Sequence, residues 1–228
     1  VMDMGFAVYD FREDIRNILV TPEIRARFLR MEIGQVNRGH THDLGHEIFM
    51  ILQGQAEFEI DGEKEVLGPG QLCIALTDEN HIVRNVGDEP VIMYLSVTPH
   101  IQATRTVVLP THTSWTDEGA RTPARYMPST AYDVPPDETT PADALAGRQM
   151  QAAESLSAAV EESDAVQREQ LAAFKEAVAQ GDRDAALATR DVVWATLYPM
   201  FQRMFELAEV WNALTYRTAD PGFMGGQE

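Results

Sequence analysis

The hydrophobic rhythm of the chain changes twice. Up to about residue 98, apolar residues come in short runs cut by turn residues; from residue 142 they recur every three or four positions. The first rhythm predicts strands and the second predicts helices. Residues 17–20, 25–33, 47–52, 56–60, 63–67, 71–76, 81–86 and 91–97 each read as a short strand. Thr21-Pro22, Gly34, Gly54, Asp61-Gly62, Gly68-Pro69-Gly70 and Gly87-Asp88-Glu89-Pro90 punctuate them. Asp-Gly is a strong hairpin signal, because the tight turn needs positive φ at both central residues. Strands of this length and spacing predict an antiparallel barrel or jelly roll. Residues 1–16 alternate little and read as a lead-in, or as a strand lent to a partner.

Between the two rhythms lies a stretch rich in Pro and Thr. Prolines stand at 99, 110, 123, 128, 135, 136 and 141. Residues 106–109 offer one further strand. Trp115, Tyr126 and Tyr132 are too apolar for a free linker, so this segment is expected to lie across the barrel.

The helical rhythm begins with an Ala-rich run carrying Leu145, Met150, Leu156, Val160, Val166, Leu171, Phe174 and Val178, and it stops at Gly181. Glycine suits a helix C-cap, and Asp182 can cap the next helix. In that next helix Val193, Leu197, Met200, Met204, Leu207, Trp211 and Leu214 are spaced alternately four and three apart, a heptad seam. Phe201, Phe205 and Val210 widen it. Pro199 removes one backbone hydrogen bond and should kink the helix without ending it. The expected fold is mainly β with an α extension: a barrel over residues 1–110, a connecting segment over 111–141, and an α-helical hairpin over 142–228. The second helix has the wider apolar face, so its surplus is expected to meet the barrel or a second copy. A homodimer with this helix at or beside the interface follows.

Composition narrows the classes of function. The chain has 18 basic and 36 acidic residues, a formal charge of −18. That disfavours a nucleic-acid backbone and anionic membranes as partners. No apolar run approaches the roughly 20 residues that span a bilayer. Val1-Met2-Asp3-Met4-Gly5 has no basic region leading into an apolar core, so no secretory signal is expected. One cysteine, Cys73, permits no internal disulfide and fits a reducing compartment, the cytoplasm.

Four of the six histidines, His40, His42, His46 and His81, fall between residues 34 and 85. On a strand, His40 and His42 would point to one face and could converge on one ion. His81 could add a third imidazole. His46 and Glu47 are adjacent and must face opposite ways, and their apolar neighbours do not decide which faces inward. Three nitrogens and one carboxylate oxygen, without sulfur, suit a divalent transition ion: Fe(II), Mn(II), Zn, Ni or Cu. His100 and His112 read as surface or hydrogen-bonded residues.

The same residues carry a resemblance. Gly34, five residues, His40-Thr41-His42, four residues, Glu47, six residues and Gly54 resemble the first cupin motif in full. Gly70, Leu76, Asp78, His81 and Asn85 keep the spacing of the second motif, with Leu76 and Asp78 where the family usually has Pro and Gly. The resemblance covers about residues 25–98. It implies a small β-barrel with a metal inside, and it maps His40, His42, Glu47 and His81 onto the ligands. It also selects Glu47 over His46 as the inward residue, which puts Phe49 and Ile51 on the pocket wall. Fe(II) or Mn(II) is favoured. Dioxygenase chemistry on a small organic molecule is the leading expectation, with isomerase, epimerase or lyase chemistry behind it. Glu47 is the candidate catalytic base. The alternative is a binding or sensor cupin that signals through the helical extension.

Overall fold

The computed structural model describes residues 6–42, 44–101, 106–107 and 140–218. They form two compact units, one of strands and one of helices. In the first, ten strands are described: β1 (Asn17–Val20), β2 (Arg25–Met31), β3 (Val36–Thr41), β4 (His46–Gln53), β5 (Ala56–Ile60), β6 (Glu63–Leu67), β7 (Leu72–Ala75), β8 (His81–Asn85), β9 (Val91–Thr98) and β10 (Thr106–Val107). They make two five-stranded sheets, ordered β1-β2-β9-β4-β7 and β10-β3-β8-β5-β6. Every pairing between neighbouring strands is antiparallel. Met31, Phe49, Ile51 and Met93 from the first sheet meet Phe58 and Val83 from the second in one buried core.

The outer faces of the two sheets differ in kind. On the second sheet, Arg84 bridges Glu57 and Glu59 at 2.9 and 2.7 Å, and Lys64 reaches Glu59 at 3.3 Å. On the first, the register lines up Phe28, Tyr94, Met50 and Leu72 in one row, and Ile48 with Ile74 in the next. Leu72 and Ile74 stay largely exposed.

Most of the strands lie where the pattern puts them, within a residue or two. The exception is β3, which the hydrophobic pattern does not announce. Val-Asn-Arg-Gly-His-Thr has one large aliphatic residue, so neither face shows an apolar alternation. It forms by pairing with β8 on one side and β10 on the other. β2 ends at Met31, two residues before the expected end. The chain turns there, the Gln35 amide donating to the Glu32 carbonyl at 3.0 Å. Residues 6–16 hold no strand; Phe11 lies edge-on to Phe28 with centroids 6.4 Å apart. Trp115, Tyr126, Tyr132 and His112 lie outside the described residues, as does almost all of the connecting segment.

The helical unit contains α1 (Ala142–Gln180) and α2 (Arg183–Thr218). Gly181 ends α1 with φ +72, the left-handed conformation that glycine adopts without a Cβ clash. The Asp182 carboxylate caps α2 by accepting from the Ala185 amide at 3.0 Å. Ser163 Oγ and Thr196 Oγ1 meet at 3.4 Å, which sets the helices antiparallel. Pro199 lies inside α2. Along the heptad seam Met204 and Trp211 remain 37% and 39% exposed, so the hairpin does not cover that face by itself.

Candidate metal centre

Three strands and one loop bring the site together. His40 lies on β3 directly opposite His81, the first residue of β8. The pairing runs Val36 with Arg84, Asn37 with Val83, then His40 with His81. Three residues on β3 therefore match two on β8, a bulge. A bulge reverses which face the following residues occupy. Before it, Val36 points outward with Arg84; after it, His40 points inward with His81, which is buried. His42, two residues on, shares that inward face.

Glu47 reaches the same interior from the other sheet. Gly45 fixes where its strand begins. A Cβ at Gly45 would stand 2.9 Å from the Pro99 carbonyl, closer than side chains are found, and 3.3 Å from that of Thr98. This lets the loop press against the end of β9 and start β4 at His46. Glu47 then faces inward and is buried, while His46 faces out and its Nδ1 accepts from the Thr77 amide at 2.9 Å. The second motif also holds its turn. Asp78 takes φ +67, a left-handed conformation, and its amide donates to the His42 carbonyl at 3.0 Å.

The ligand atoms of His40, His42, Glu47 and His81 all lie within 4.8 Å of one another. Glu47 Oε2 is 2.8 Å from His42 Nε2, 3.0 Å from His81 Nε2 and 4.0 Å from His40 Nε2. Donor atoms about 3 Å apart are what two ligands about 2.1 Å from one ion make at a right angle. The tautomers sharpen the fit. His81 Nδ1 is 3.1 Å from the Glu79 carbonyl and His40 Nδ1 is 3.0 Å from that of Arg38. A carbonyl only accepts, so both Nδ1 atoms carry the proton. In the neutral imidazole the Nε2 lone pair of His81 then faces a carboxylate oxygen 3.0 Å away, while His40 Nε2 lies 4.0 Å from the same oxygen. Lone pairs facing lone pairs require a cation between them, a proton or a metal ion. Backbone carbonyls holding Nδ1–H are the usual outer support of metal-binding histidines.

Burial alone would raise the Glu47 carboxyl. With a proton as that cation, the charge on His42 and the hydrogen bonds from His42 and His81 outweigh it and hold the carboxyl well below its usual range. Burial, with help from the Glu47 charge, pushes the Cys73 thiol up to about 12. Cys73 therefore stays a neutral thiol, unsuited to nucleophilic chemistry or metal ligation at neutral pH. Phe49 faces inward two residues beyond Glu47, with its ring 5.7 Å from that of His81. Ile51 lies a further two residues along, inside the apolar core. His100 is fully buried; its amide donates to the Pro22 carbonyl at 2.8 Å, and it is outside the four-residue cluster. Asn85 is a brace: its Nδ2 donates to the carbonyls of Met31, Glu32 and Glu89 at 2.9–3.2 Å.

One member of the site was not among the sequence candidates. Arg25 opens β2, is 0% exposed, and places Nη2 3.4 Å from Glu47 Oε1. Both residues pair with Val97 of β9, one on each side. The signal was present in the sequence, because Arg25 has the same parity as Leu29 and Met31 and must share their inward face. Counting only apolar residues along the strand hides it.

Residues 27–98 match the Cupin_2 family model, described as a cupin domain. No curated protein matches the chain. Among solved structures, the chain is similar to a conserved protein with a double-stranded beta-helix domain from Klebsiella pneumoniae, with 23% identity over 46% of this chain and 99% of that one and a TM-score of 0.43. It is also similar to KdgF from Halomonas sp., with 25% identity over 38% and 78% of the two chains and a TM-score of 0.35. DMSP lyase DddQ from Ruegeria pomeroyi gives 25% identity over 40% and 46%, with a TM-score of 0.36. Residues 27–98, which match the family model, do not include the two C-terminal helices.

Proposed function

On the premise that residues 27–98 are a cupin domain, we propose that this chain is a metal-dependent enzyme acting on a small organic molecule, with dioxygenase-like chemistry. One observation supports it above all: the ligand atoms of His40, His42, Glu47 and His81 lie within 4.8 Å of one another, with His40 and His81 committing Nδ1–H to backbone carbonyls. His40, His42, Glu47 and His81 hold one divalent transition ion, Fe(II) or Mn(II) in preference to Zn, Ni or Cu. When bound, the ion supplies Lewis acidity and open positions at which a substrate is oriented. Glu47 stays ionised and is the group able to take up a proton beside the substrate. Phe49 walls the site next to His81, and Ile51 backs it from the core. The His40 side chain is 13% exposed, against 2% or less for the other three ligands, so the substrate enters past His40.

The domain division we propose is the barrel over 1–110, the connecting segment over 111–141 and the helical extension over 142–228. The assembly is a homodimer that binds neither nucleic acid nor membrane and works in the cytoplasm. No described helix is long and apolar enough to cross a membrane, and the acidic charge repels anionic partners. A second reading, a cupin that binds a metabolite without catalysis and signals through the helices, draws on the exposed Trp194 and Tyr198 of α2.

Oxygen uptake by Fe(II)-loaded protein, against a panel of diketones, phenols and sugars, tests the choice. The enzyme reading expects at least one compound to drive uptake that the metal-free protein and His42→Ala lack. Metal-dependent ligand binding with no turnover across the panel would favour the sensor.

A further inference from the structure

We propose that Asn37 is a substrate-binding residue, whose carboxamide hydrogen-bonds a neutral hydroxyl or carbonyl group at the end of the substrate away from the metal. The proposal rests on the metal reading given above and adds a second point of attachment to it. Asn37 pairs with Val83 of β8, and Val83 pairs in turn with Phe58 of β5. Residues directly opposite on neighbouring strands share a face. Val83 and Phe58 are 3% and 2% exposed, within the core, so Asn37 faces the interior with them. The next rung of the same sheet is His40, His81 and Ile60. Asn37 thus stands one rung, roughly 6.5–7 Å, from the ligand histidines.

Two observations point to a ligand there. Asn37 is only half-buried although it faces inward, and its inward neighbours His40 and Ile60 also keep part of their exposure. Solvent therefore reaches the interior along the rungs that carry the site. Second, the Asn37 carboxamide has no hydrogen-bond partner among the described residues. Asn85, on the same face of the same sheet, shows what a structural asparagine does: its Nδ2 donates to three backbone carbonyls. Asn37 keeps two donors and an acceptor for whatever enters. Around it the wall is apolar: Val83, Phe58, and Phe49, whose ring lies 5.0 Å from that of Phe58 and 5.7 Å from that of His81. A few placed polar groups on such a wall fix how a ligand is oriented. An amide matches a hydroxyl or carbonyl by donating and accepting, and it offers a charged group no opposite charge.

Calorimetric titration of the full-length Mn(II)-loaded protein with γ-hydroxybutyrate and with valerate, which carries a methyl in place of the distal hydroxyl, tests this. The expected result is γ-hydroxybutyrate binding tighter by about twofold to tenfold, the range of one net hydrogen bond. Asn37→Leu, similar in size and without polar atoms, should retain Mn(II) and lose that preference. A purely structural Asn37 would change metal affinity or melting temperature and leave the ratio of the two acids as it is. If Asn37→Leu does not fold, as circular dichroism would show, the wild-type pair and Asn37→Ser, too short to reach the hydroxyl, decide the matter. No preference in the loaded wild type, no γ-hydroxybutyrate binding, or full preference in a folded variant would each overturn the proposal alone. Failure of the wild type to bind Mn(II) would overturn the metal reading, and this proposal with it.

Discussion

Glu47 is the residue through which both halves of the site communicate: one carboxylate oxygen faces His42 and His81, the other faces Arg25. Its neighbour His46 points to the opposite face and ties down Thr77. Glu47→Gln should therefore reduce metal binding by about tenfold or more, while His46→Gln leaves it nearly unchanged; competition against a chromogenic chelator measures both. Acidity acts on the site through two steps. Ligand imidazoles must be unprotonated, so metal affinity should fall steadily between about pH 8 and pH 5, and a flat profile would contradict histidine ligation. Glu47 is held below its unfolded value of 4.5, so its ionisation stabilises the fold above that pH and the contribution is lost as pH falls through the lower folded value. His40 and His42 were legible as a pair because their spacing is local, whereas Glu47 over His46 and the distant His81 came from the motif resemblance. For Arg25 only the inward face was legible, from strand parity; its place beside Glu47 was not, because that comes from two long-range pairings with β9.

At the scale of elements, the site depends on two pieces of backbone that carry no apolar signal. The first is β3, whose bulge turns His40 inward. The strand pattern was legible wherever the core supplied alternation, as in β4 and β9, and it failed at β3 because the inward residues there, Asn37 before the bulge and His40 after it, are polar. The second is the turn between β7 and β8, where Asp78 adopts φ +67. Aspartate tolerates that conformation, and glycine meets no Cβ cost in it. Asp78→Gly should leave the melting temperature unchanged or raise it. Asp78→Val should lower stability by about 1–2 kcal/mol, the cost of a left-handed conformation at a branched residue. Equal melting temperatures for the two variants would show that this turn does not hold the strained geometry.

Over the whole molecule, the strand unit has one charged outer face and one apolar one, and the helical unit keeps part of its seam exposed. Short-range spacing made the hairpin legible, down to the Gly181 and Asp182 caps, because helix signals need only neighbouring residues. What meets the surplus face is a matter of assembly, which spacing alone does not encode. A homodimer is expected by light scattering. Met204→Asp, which sets a charge at a half-exposed seam position, should shift it toward monomer, since an unpaired charge in a closed interface costs several kcal/mol. An unchanged mass would place the interface elsewhere. The central claim is the metal itself, and the most direct test is elemental analysis of protein purified without added metal, beside His40→Ala and His42→Ala. The expected result is close to one transition ion per wild-type chain and a strong loss in both variants, with the barrel still folded by circular dichroism. Wild-type protein that takes up no metal, or variants that retain the wild-type content, would contradict the account.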